Sequence, residues 1–100
     1  MRVAVIVELR VKDNPARHRY EARAGERLLG FVLYQAQPGR ITLIHTEVEP
    51  ELEHRGVASQ LVAATLDDIR ARGLSVVPVC PFVRAFIRRH PEYAELVGAR

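Results

Sequence analysis

The feature that most constrains this chain is a strand that leads through a glycine turn into an amphipathic helix. Residues 41–48 read as the strand, Glu53-His-Arg-Gly-Val-Ala58 as the turn, and residues 59–72 as a helix whose apolar positions recur at helical spacing. Gly56 and Ala58 let a ligand approach the main chain closely, and the first amides of the helix have no partner inside it. Free amides and the positive end of the helix dipole favour a phosphate or pyrophosphate at this turn.

The residues before this unit predict an antiparallel sheet. Residues 3–11, 17–24 and 28–35 are rich in strand-forming side chains. Short turns separate them, at residues 13–16 and at Gly25-Glu26, and short turns imply antiparallel neighbours.

After the long helix the chain returns to the sheet and ends in helical segments. Residues 74–79 read as a short buried strand, which a right-handed crossover places parallel to residues 41–48. Pro78 provides no main-chain donor, so we expect the pairing of these two strands to be interrupted there. Proline in the first turn favours helices over residues 81–89 and 91–96. The prediction is an α/β (α+β) fold with a mixed, mostly antiparallel sheet and a βαβ crossover.

Length and composition limit the class of protein. The chain has 100 residues, of which 48% are apolar, so we predict a single domain over residues 1–100. Cys80 is the only cysteine, which excludes an intramolecular disulfide, and no histidine or acidic cluster has the spacing of a metal site. Residues 3–9 are too few to span a bilayer and no signal-type cleavage site follows them. We therefore expect a cytoplasmic protein without a membrane partner, either a monomer or a homodimer.

Charge and motifs argue against several other ligands. The formal charge of +3 comes almost wholly from arginine, since Lys12 is the only lysine, and the basic residues are scattered among twelve acids. Nucleic-acid binding is therefore a weak hypothesis, which a strongly salt-dependent affinity would support. The chain contains neither Gly-x-x-x-x-Gly-Lys-Ser/Thr nor Gly-x-Gly-x-x-Gly, so ATP and NAD are not favoured.

Several short motifs occur in order along the chain, in addition to the glycine turn. They are His45-Thr-Glu-Val48, Pro50, Arg55-Gly-Val-Ala-Ser59, Pro78-Val-Cys-Pro-Phe82 and Arg89-His-Pro-Glu-Tyr93. Together they resemble the Gcn5-related N-acetyltransferase superfamily, and within it the very small single-domain acetyltransferase-like family. The resemblance runs from about residue 13 to residue 97 and departs from the superfamily turn at Glu53, where glutamine or arginine is usual. We assign no binding role to Glu53, because a carboxylate repels phosphates.

The resemblance implies a minimal acetyltransferase fold with splayed parallel strands and an acetyl-CoA site. The pyrophosphate of acetyl-CoA would lie on the amides of Arg55, Gly56, Val57, Ala58 and Ser59. Its pantetheine arm would enter between the two strands, next to Val48, Cys80 and Phe82. The amide of Val48 would polarise the acetyl carbonyl. Phe82 has an alternative role as an ordinary core residue.

Amine acetylation needs a base that removes a proton from the incoming ammonium. His45 and Glu47 lie two residues apart on one strand and so share a face. Histidine titrates near neutral pH, and a carboxylate neighbour supports it as a base. The alternative is a buried histidine that is hydrogen-bonded to the main chain.

Cys80 is the third candidate catalytic residue. It precedes a proline that starts a helix, and a helix terminus favours the thiolate form. An acyl-cysteine route would pass the acetyl group from CoA to Cys80 and then to the acceptor. The alternative is a small buried core residue. The predicted function is therefore acetyl transfer from acetyl-CoA to an amine of unknown identity, with a noncatalytic CoA-binding or protein-interaction module as the alternative.

Overall fold

The computed structural model describes residues 8–98, which form a five-stranded sheet and two α-helices. The strands follow one another across the sheet in the order β1-β2-β3-β4-β5. The first three pairings are antiparallel, and β4 and β5 are parallel. The strands are β1 (Arg10–Asn14), β2 (Arg19–Ala24), β3 (Arg27–Gln37), β4 (Arg40–Val48) and β5 (Ser75–Pro78). The predicted mixed sheet with one crossover is confirmed.

The helices are close to the predicted ranges. α1 covers Val57–Ala71 and α2 covers Pro81–Arg89. Three short 3-10 segments complete the described chain, at Pro15–Arg17, Pro50–Leu52 and Pro91–Leu96. No helix within residues 8–98 combines the length and the hydropathy needed to cross a membrane.

The first strand differs from its prediction. Residues 3–7 of the predicted strand lie outside the described residues, and β1 continues through Asp13 and Asn14, where the sequence predicted a turn. Two side-chain hydrogen bonds explain why the strand extends this far. The hydroxyl of Tyr34 donates to Asp13 at 2.6 Å, and the amide of Asn14 donates to Glu21 at 3.1 Å. The predicted turn is therefore wrong by two residues, because distant partners hold Asp13 and Asn14 in the sheet.

The core lies between one face of the sheet and the helices. Five apolar side chains of α1 are fully buried, namely Val57, Leu61, Val62, Leu66 and Ile69. They pack in one cluster with Tyr20, Val32 and Leu43 from the sheet. The C-terminal 3-10 segment is bound to α1, because the hydroxyl of Tyr93 donates a hydrogen bond to Asp67 at 2.8 Å.

The other face of the sheet is covered by no helix in the part of the chain that the structure describes. We call it the open face. Tyr20 and Ala22 of β2 are buried against α1, so the alternating side chains of β2 point the other way. Cross-strand partners share a face, which places the following side chains on the open face: Lys12, Asn14, Arg19, Glu21, Phe31, Leu33, His45 and Glu47.

A partly buried polar network joins β1, β2 and β3 to the C-terminal end of α1. The hydroxyl of Tyr20 donates to Asp68 at 2.6 Å, and that of Tyr34 donates to Asp13 at 2.6 Å. Arg72 completes the network by donating to Tyr20 at 3.1 Å and to Asp13 at 3.3 Å. Burial, together with hydrogen bonds to these carboxylates, raises the pKa of both tyrosines well above the ordinary value.

Candidate functional site

The parallel strands separate at Pro78. β4 and β5 pair only as far as Leu43 and Pro78. The amides of Val79 and Cys80 both donate to the carbonyl of Leu43, at 3.0 and 2.9 Å, so the chain stops advancing along β4 and turns into α2. The second half of β4 thus has no strand partner on this edge among residues 8–98. The interruption predicted from Pro78 is confirmed.

A bulge changes which side chains of β4 face the helices. Tyr34 pairs with Leu43 and Leu33 pairs with His45, so Ile44 is an additional residue in β4. Beyond the bulge, Thr46 takes over the helix-facing position, and its hydroxyl lies 3.3 Å from the sulfur of Cys80.

The hydrogen bonds between β3 and β4 direct the amide of Val48 to the free edge. The amide of Glu49 donates to the carbonyl of Leu29 at 2.9 Å, which makes Leu29 and Glu49 a hydrogen-bonded pair. Such pairs alternate with non-hydrogen-bonded pairs, so Gly30 and Val48 form one of the latter. The N–H group of Val48 therefore points away from β3, toward the gap where β5 has diverged.

A groove of ≈ 360 Å³ occupies this gap and reaches the first turn of α1. Its lining comes from the end of β4, the glycine turn, α1 and the start of α2. The lining residues are Thr46, Val48, Leu52, Glu53, His54, Gly56, Ala58, Ser59 and Phe82.

The first turn of α1 presents unused amides to this groove. Gly56 precedes the helix with a φ of 84°, a left-handed conformation that glycine adopts without strain. The first helical bond runs from the amide of Gln60 to the carbonyl of Gly56, and no side chain of the described residues caps the helix. Within residues 8–98 the amides of Val57, Ala58 and Ser59 therefore have no hydrogen-bond partner. Such a turn suits an anionic group, and the apolar groove beside it suits a flexible arm.

Some of the predicted ligand-binding residues line the groove, and others do not. Val48, Gly56, Ala58, Ser59 and Phe82 line the groove. The side chain of Val57 is fully buried, so only its amide can reach a ligand. The amide of Arg55 donates to the carbonyl of Leu52 at 3.2 Å, so Arg55 can contribute only its exposed side chain. Cys80 is 2% exposed and lies behind Thr46.

The predicted catalytic pair is brought together, but on the open face. Nε2 of His45 lies 3.2 Å from a carboxylate oxygen of Glu47. Both side chains are more than half exposed, at 54% and 63%. The alternative of a buried histidine bonded to the main chain is therefore wrong. Cys80 lies on the other side of β4 and contacts neither of them, because Thr46 between them points toward the helices.

Four residues to which the sequence analysis assigned no role also line the groove: Thr46, Leu52, Glu53 and His54. His54 has a φ of 68°, which is unusual for a residue with a side chain, and belongs to the tight turn before α1. Alternation along the strand places Thr46 on the face opposite to His45 and Glu47, and the bulge at Ile44 decides that this face is the one toward the helices. Glu53 lines the groove although its charge argued against a binding role.

Comparisons with known proteins agree with this architecture. A search of curated proteins finds no match. A GCN5-like protein from Staphylococcus aureus, named in its NMR structure as a proposed N-acetyltransferase, superposes with a TM-score of 0.68 at 20% identity, covering 95% of this chain and 93% of that one. The ribosomal-protein-alanine N-acetyltransferase of Brucella melitensis biovar Abortus 2308 superposes with a TM-score of 0.55 at 22% identity, covering 82% of this chain and 61% of that one.

A sequence-family comparison covers most of the chain. Residues 19–96 match the family described as GCN5-related N-acetyl-transferase. This range runs from β2 to the end of the last 3-10 segment and includes the whole groove. The chain therefore belongs to the GCN5-related N-acetyltransferase family.

Proposed function

We propose that this protein is an acetyl-CoA-dependent N-acetyltransferase that transfers an acetyl group to an amine. The observation that carries the proposal is that one groove connects two sets of unused main-chain donors. One set is the first turn of α1, and the other is the free edge of β4 at Val48. Membership of the acetyltransferase family supports the reaction class.

The groove fits the parts of acetyl-CoA in order. The amides of Val57, Ala58 and Ser59 would hold the pyrophosphate, and the exposed guanidinium of Arg55 would add positive charge. The apolar side chains of Val48, Leu52 and Phe82 would line the pantetheine arm. When bound, acetyl-CoA supplies a thioester, whose carbonyl carbon accepts an amine while the thiol departs.

Val48 would serve the reaction through its main chain. Its N–H group points into the gap between β4 and the diverging chain. A donor that is already fixed in place stabilises developing negative charge on an oxygen, and removing one such donor from other enzymes costs about 10²–10³ in kcat. A main-chain donor is difficult to remove by mutation, so its position has to be tested through the residues that hold it.

His45 and Glu47 would remove the proton from the acceptor amine. A carboxylate can only accept a hydrogen bond, so Nε2 of His45 carries the hydrogen that faces Glu47. In the neutral ring Nδ1 then keeps a lone pair, which accepts the proton. The pair is exposed on the open face, which lets an acceptor approach from the side opposite the groove and lets the proton pass to water.

The burial of Cys80 favours direct transfer over a route through an acetylated cysteine. The thiol is 2% exposed and Thr46 separates it from the groove. We therefore assign Cys80 a positioning role, in which its sulfur holds the hydroxyl of Thr46 in place.

The decisive experiment measures binding first and turnover second. Calorimetry with acetyl-CoA and with CoA should give saturable heat, and a thiol-release assay should detect transfer to amines. No heat at near-millimolar ligand would end the proposal. Binding without thiol release for any amine would instead identify a noncatalytic CoA-binding module.

A further inference from the structure

The two sides of the open face carry charges of opposite sign. Its β4 side carries the carboxylate of Glu47 next to His45. Its β1–β2 side carries four cationic side chains, namely Arg10, Lys12, Arg19 and Arg23, which we call the basic strip. The only carboxylate that pairs with the strip among residues 8–98 is that of Glu21.

Glu21 holds two of these cations in place. One of its oxygens accepts from Nε of Arg19 at 2.8 Å, and the other accepts from Nε of Arg23 at 3.1 Å. Asn14 adds a third hydrogen bond at 3.1 Å. Although burial opposes ionisation, these hydrogen bonds outweigh it and hold the pKa of Glu21 below its usual range. The carboxylate therefore stays charged and fixes both guanidinium groups.

The fixed guanidinium groups keep unused donors. Both terminal nitrogens of Arg19 and one of Arg23 form no hydrogen bond within the described part of the chain. Arg19 is held further by the ring of Phe31, whose centre lies 4.6 Å from the guanidinium carbon. Arg10 and Lys12 form no ion pair with any residue in the range 8–98. Arg10, Lys12 and Arg23 line a cleft of ≈ 330 Å³, whose other lining residues are Asp13, Asn14, Glu21 and Gly25.

The strand register fixes the distance from the strip to the proposed catalytic pair. Arg19 pairs with Leu33, and Leu33 pairs with His45. In the next row Glu21 pairs with Phe31, and Phe31 pairs with Glu47. Two strand spacings, about 10 Å in total, therefore separate β2, which carries Arg19 and Arg23, from the pair on β4. The apolar side chains of Phe31 and Leu33 lie between them. Arg10 and Lys12 lie one strand further away, on β1.

We propose that the basic strip binds an anionic group of the acceptor, so that the acceptor class is an amine with a carboxylate or phosphate about 10 Å away. The proposal rests on the proposed acetyl transfer and specifies its substrate. The ammonium of such an acceptor lies against Glu47 and its anion lies against Arg19 and Arg23. A polyamine places a second cation on the strip and is disfavoured.

Matched probes test this preference. The first set is three tetrapeptide amides with a free N-terminus that differ only in a third residue of glutamate, glutamine or lysine. The second set is a linear ω-amino acid whose carboxylate lies about 10 Å from its amine, its neutral amide and the corresponding diamine, which distinguishes a small acceptor from a peptide. We expect kcat/KM for the acidic probe of at least one set to exceed that of its neutral counterpart about tenfold. Equal rates for acidic and neutral probes in both sets would overturn the proposal.

Single-charge variants assign the preference to the strip. Arg23→Gln should reduce the acidic-over-neutral ratio most. Lys12→Gln should reduce it about threefold, and it tests the strip without removing a bond to the buried Glu21. Arg40→Gln removes the same charge at the far end of the β3–β4 hairpin and should leave the ratio unchanged. A ratio that Arg23→Gln and Lys12→Gln do not alter would contradict the assignment.

A binding measurement separates this inference from the proposed catalysis. If neither these probes nor any other amine releases thiol, acetyl transfer fails as the function. Titration of the same peptides, followed by NMR at the amides of β1 and β2, then decides the inference. Shifts with the glutamate peptide but not with the lysine peptide would support the basic strip, and an absence of shifts with all peptides would overturn it.

Discussion

A β-carbon on Gly30 would lie 2.6 Å from the carbonyl oxygen of Glu47. It would also lie 2.9 Å from a methyl carbon of Val48. Both distances are shorter than real contacts allow, and they follow from the close approach of strands at a non-hydrogen-bonded pair. Glycine at this position therefore sets how near the end of β4 lies to β3, and so where the amide of Val48 points.

Gly30→Ala should displace the segment of β4 that carries Glu47 and Val48. We expect a loss of stability of about 1–3 kcal/mol, as for other overpacked sites. We also expect kcat to fall more than KM for acetyl-CoA rises, because the displaced donor acts in the transition state. Urea unfolding and thiol-release kinetics measure the two effects.

Gly39→Ala is the control for this variant. Gly39 has a φ of 79° in the β3–β4 turn, and no residue in the range 8–98 lies within 4 Å of a β-carbon added there, so alanine costs stability without moving β4 at the groove. Equal kinetic losses in both variants would mean that Gly30 acts only through stability.

Substitution of the exposed pair tests the proposed base. Glu47→Gln and His45→Gln should each lower kcat, by about 10²–10⁴ for loss of a general base, with little change in the affinity for acetyl-CoA. Both side chains lie on the open face away from the groove, so binding of acetyl-CoA should not depend on them. Glu26→Gln, in the exposed β2–β3 turn, is the charge-matched control. Unchanged kcat in both variants of the pair would remove His45 and Glu47 from the chemistry.

Cys80→Ala separates direct transfer from an acyl-cysteine route. Direct transfer predicts a kcat within about threefold of the wild-type value, which corresponds to less than 1 kcal/mol in the barrier. Thr46→Val removes the same hydroxyl–sulfur contact by deleting the hydroxyl group. The kcat of the double variant, Thr46→Val with Cys80→Ala, should therefore be no lower than that of the more affected single variant. A kcat loss of about a hundredfold for Cys80→Ala, with acetylated Cys80 found by mass spectrometry in the wild type, would establish the acyl-cysteine route.

Local signals explain which elements the sequence predicted well. Pro81 starts α2 and Pro91 follows its end, so the predicted range of residues 81–89 is that of the helix. α1 begins at Val57, two residues earlier than predicted, because Gly56 completes the turn in a left-handed conformation. The divergence of the parallel strands was predictable because Pro78 lacks the donor that further pairing requires.

Contacts between residues that are distant in sequence explain what could not be predicted. β1 extends through Asp13 because Tyr34 and Arg72 bind that side chain, and no local pattern reveals those partners. The contact between His45 and Glu47 follows from their spacing. The bulge at Ile44, which puts Thr46 on the helix side and the pair on the open face, depends on the register with β3.

The tyrosine network at the end of α1 should make the protein sensitive to alkaline pH. Tyr20 and Tyr34 are 1% and 6% exposed, and burial with hydrogen bonds to Asp68 and Asp13 raises the pKa of each above its unfolded value of 10.0. Above pH 10 the unfolded chain loses these protons while the folded chain keeps them. The stability that the two tyrosines contribute should therefore be constant below pH 10, and the free energy of unfolding should fall above it, by up to about 1.4 kcal/mol per pH unit for each tyrosine.

Phenylalanine variants isolate this effect from other causes of alkaline unfolding. Tyr20→Phe removes the hydrogen bond to Asp68, and Tyr34→Phe removes one of the two hydrogen bonds that Asp13 accepts, so we expect each to cost about 1–3 kcal/mol at neutral pH. Above pH 10 the same variants should lose stability less steeply than the wild type, because one titrating group is gone. Urea unfolding followed by circular dichroism from pH 7 to pH 11 measures both quantities. A double variant with the wild-type slope would show that the two tyrosines do not control the alkaline response, whereas a flatter slope with lower stability at neutral pH is the result that the Tyr20–Asp68 and Tyr34–Asp13 bonds require.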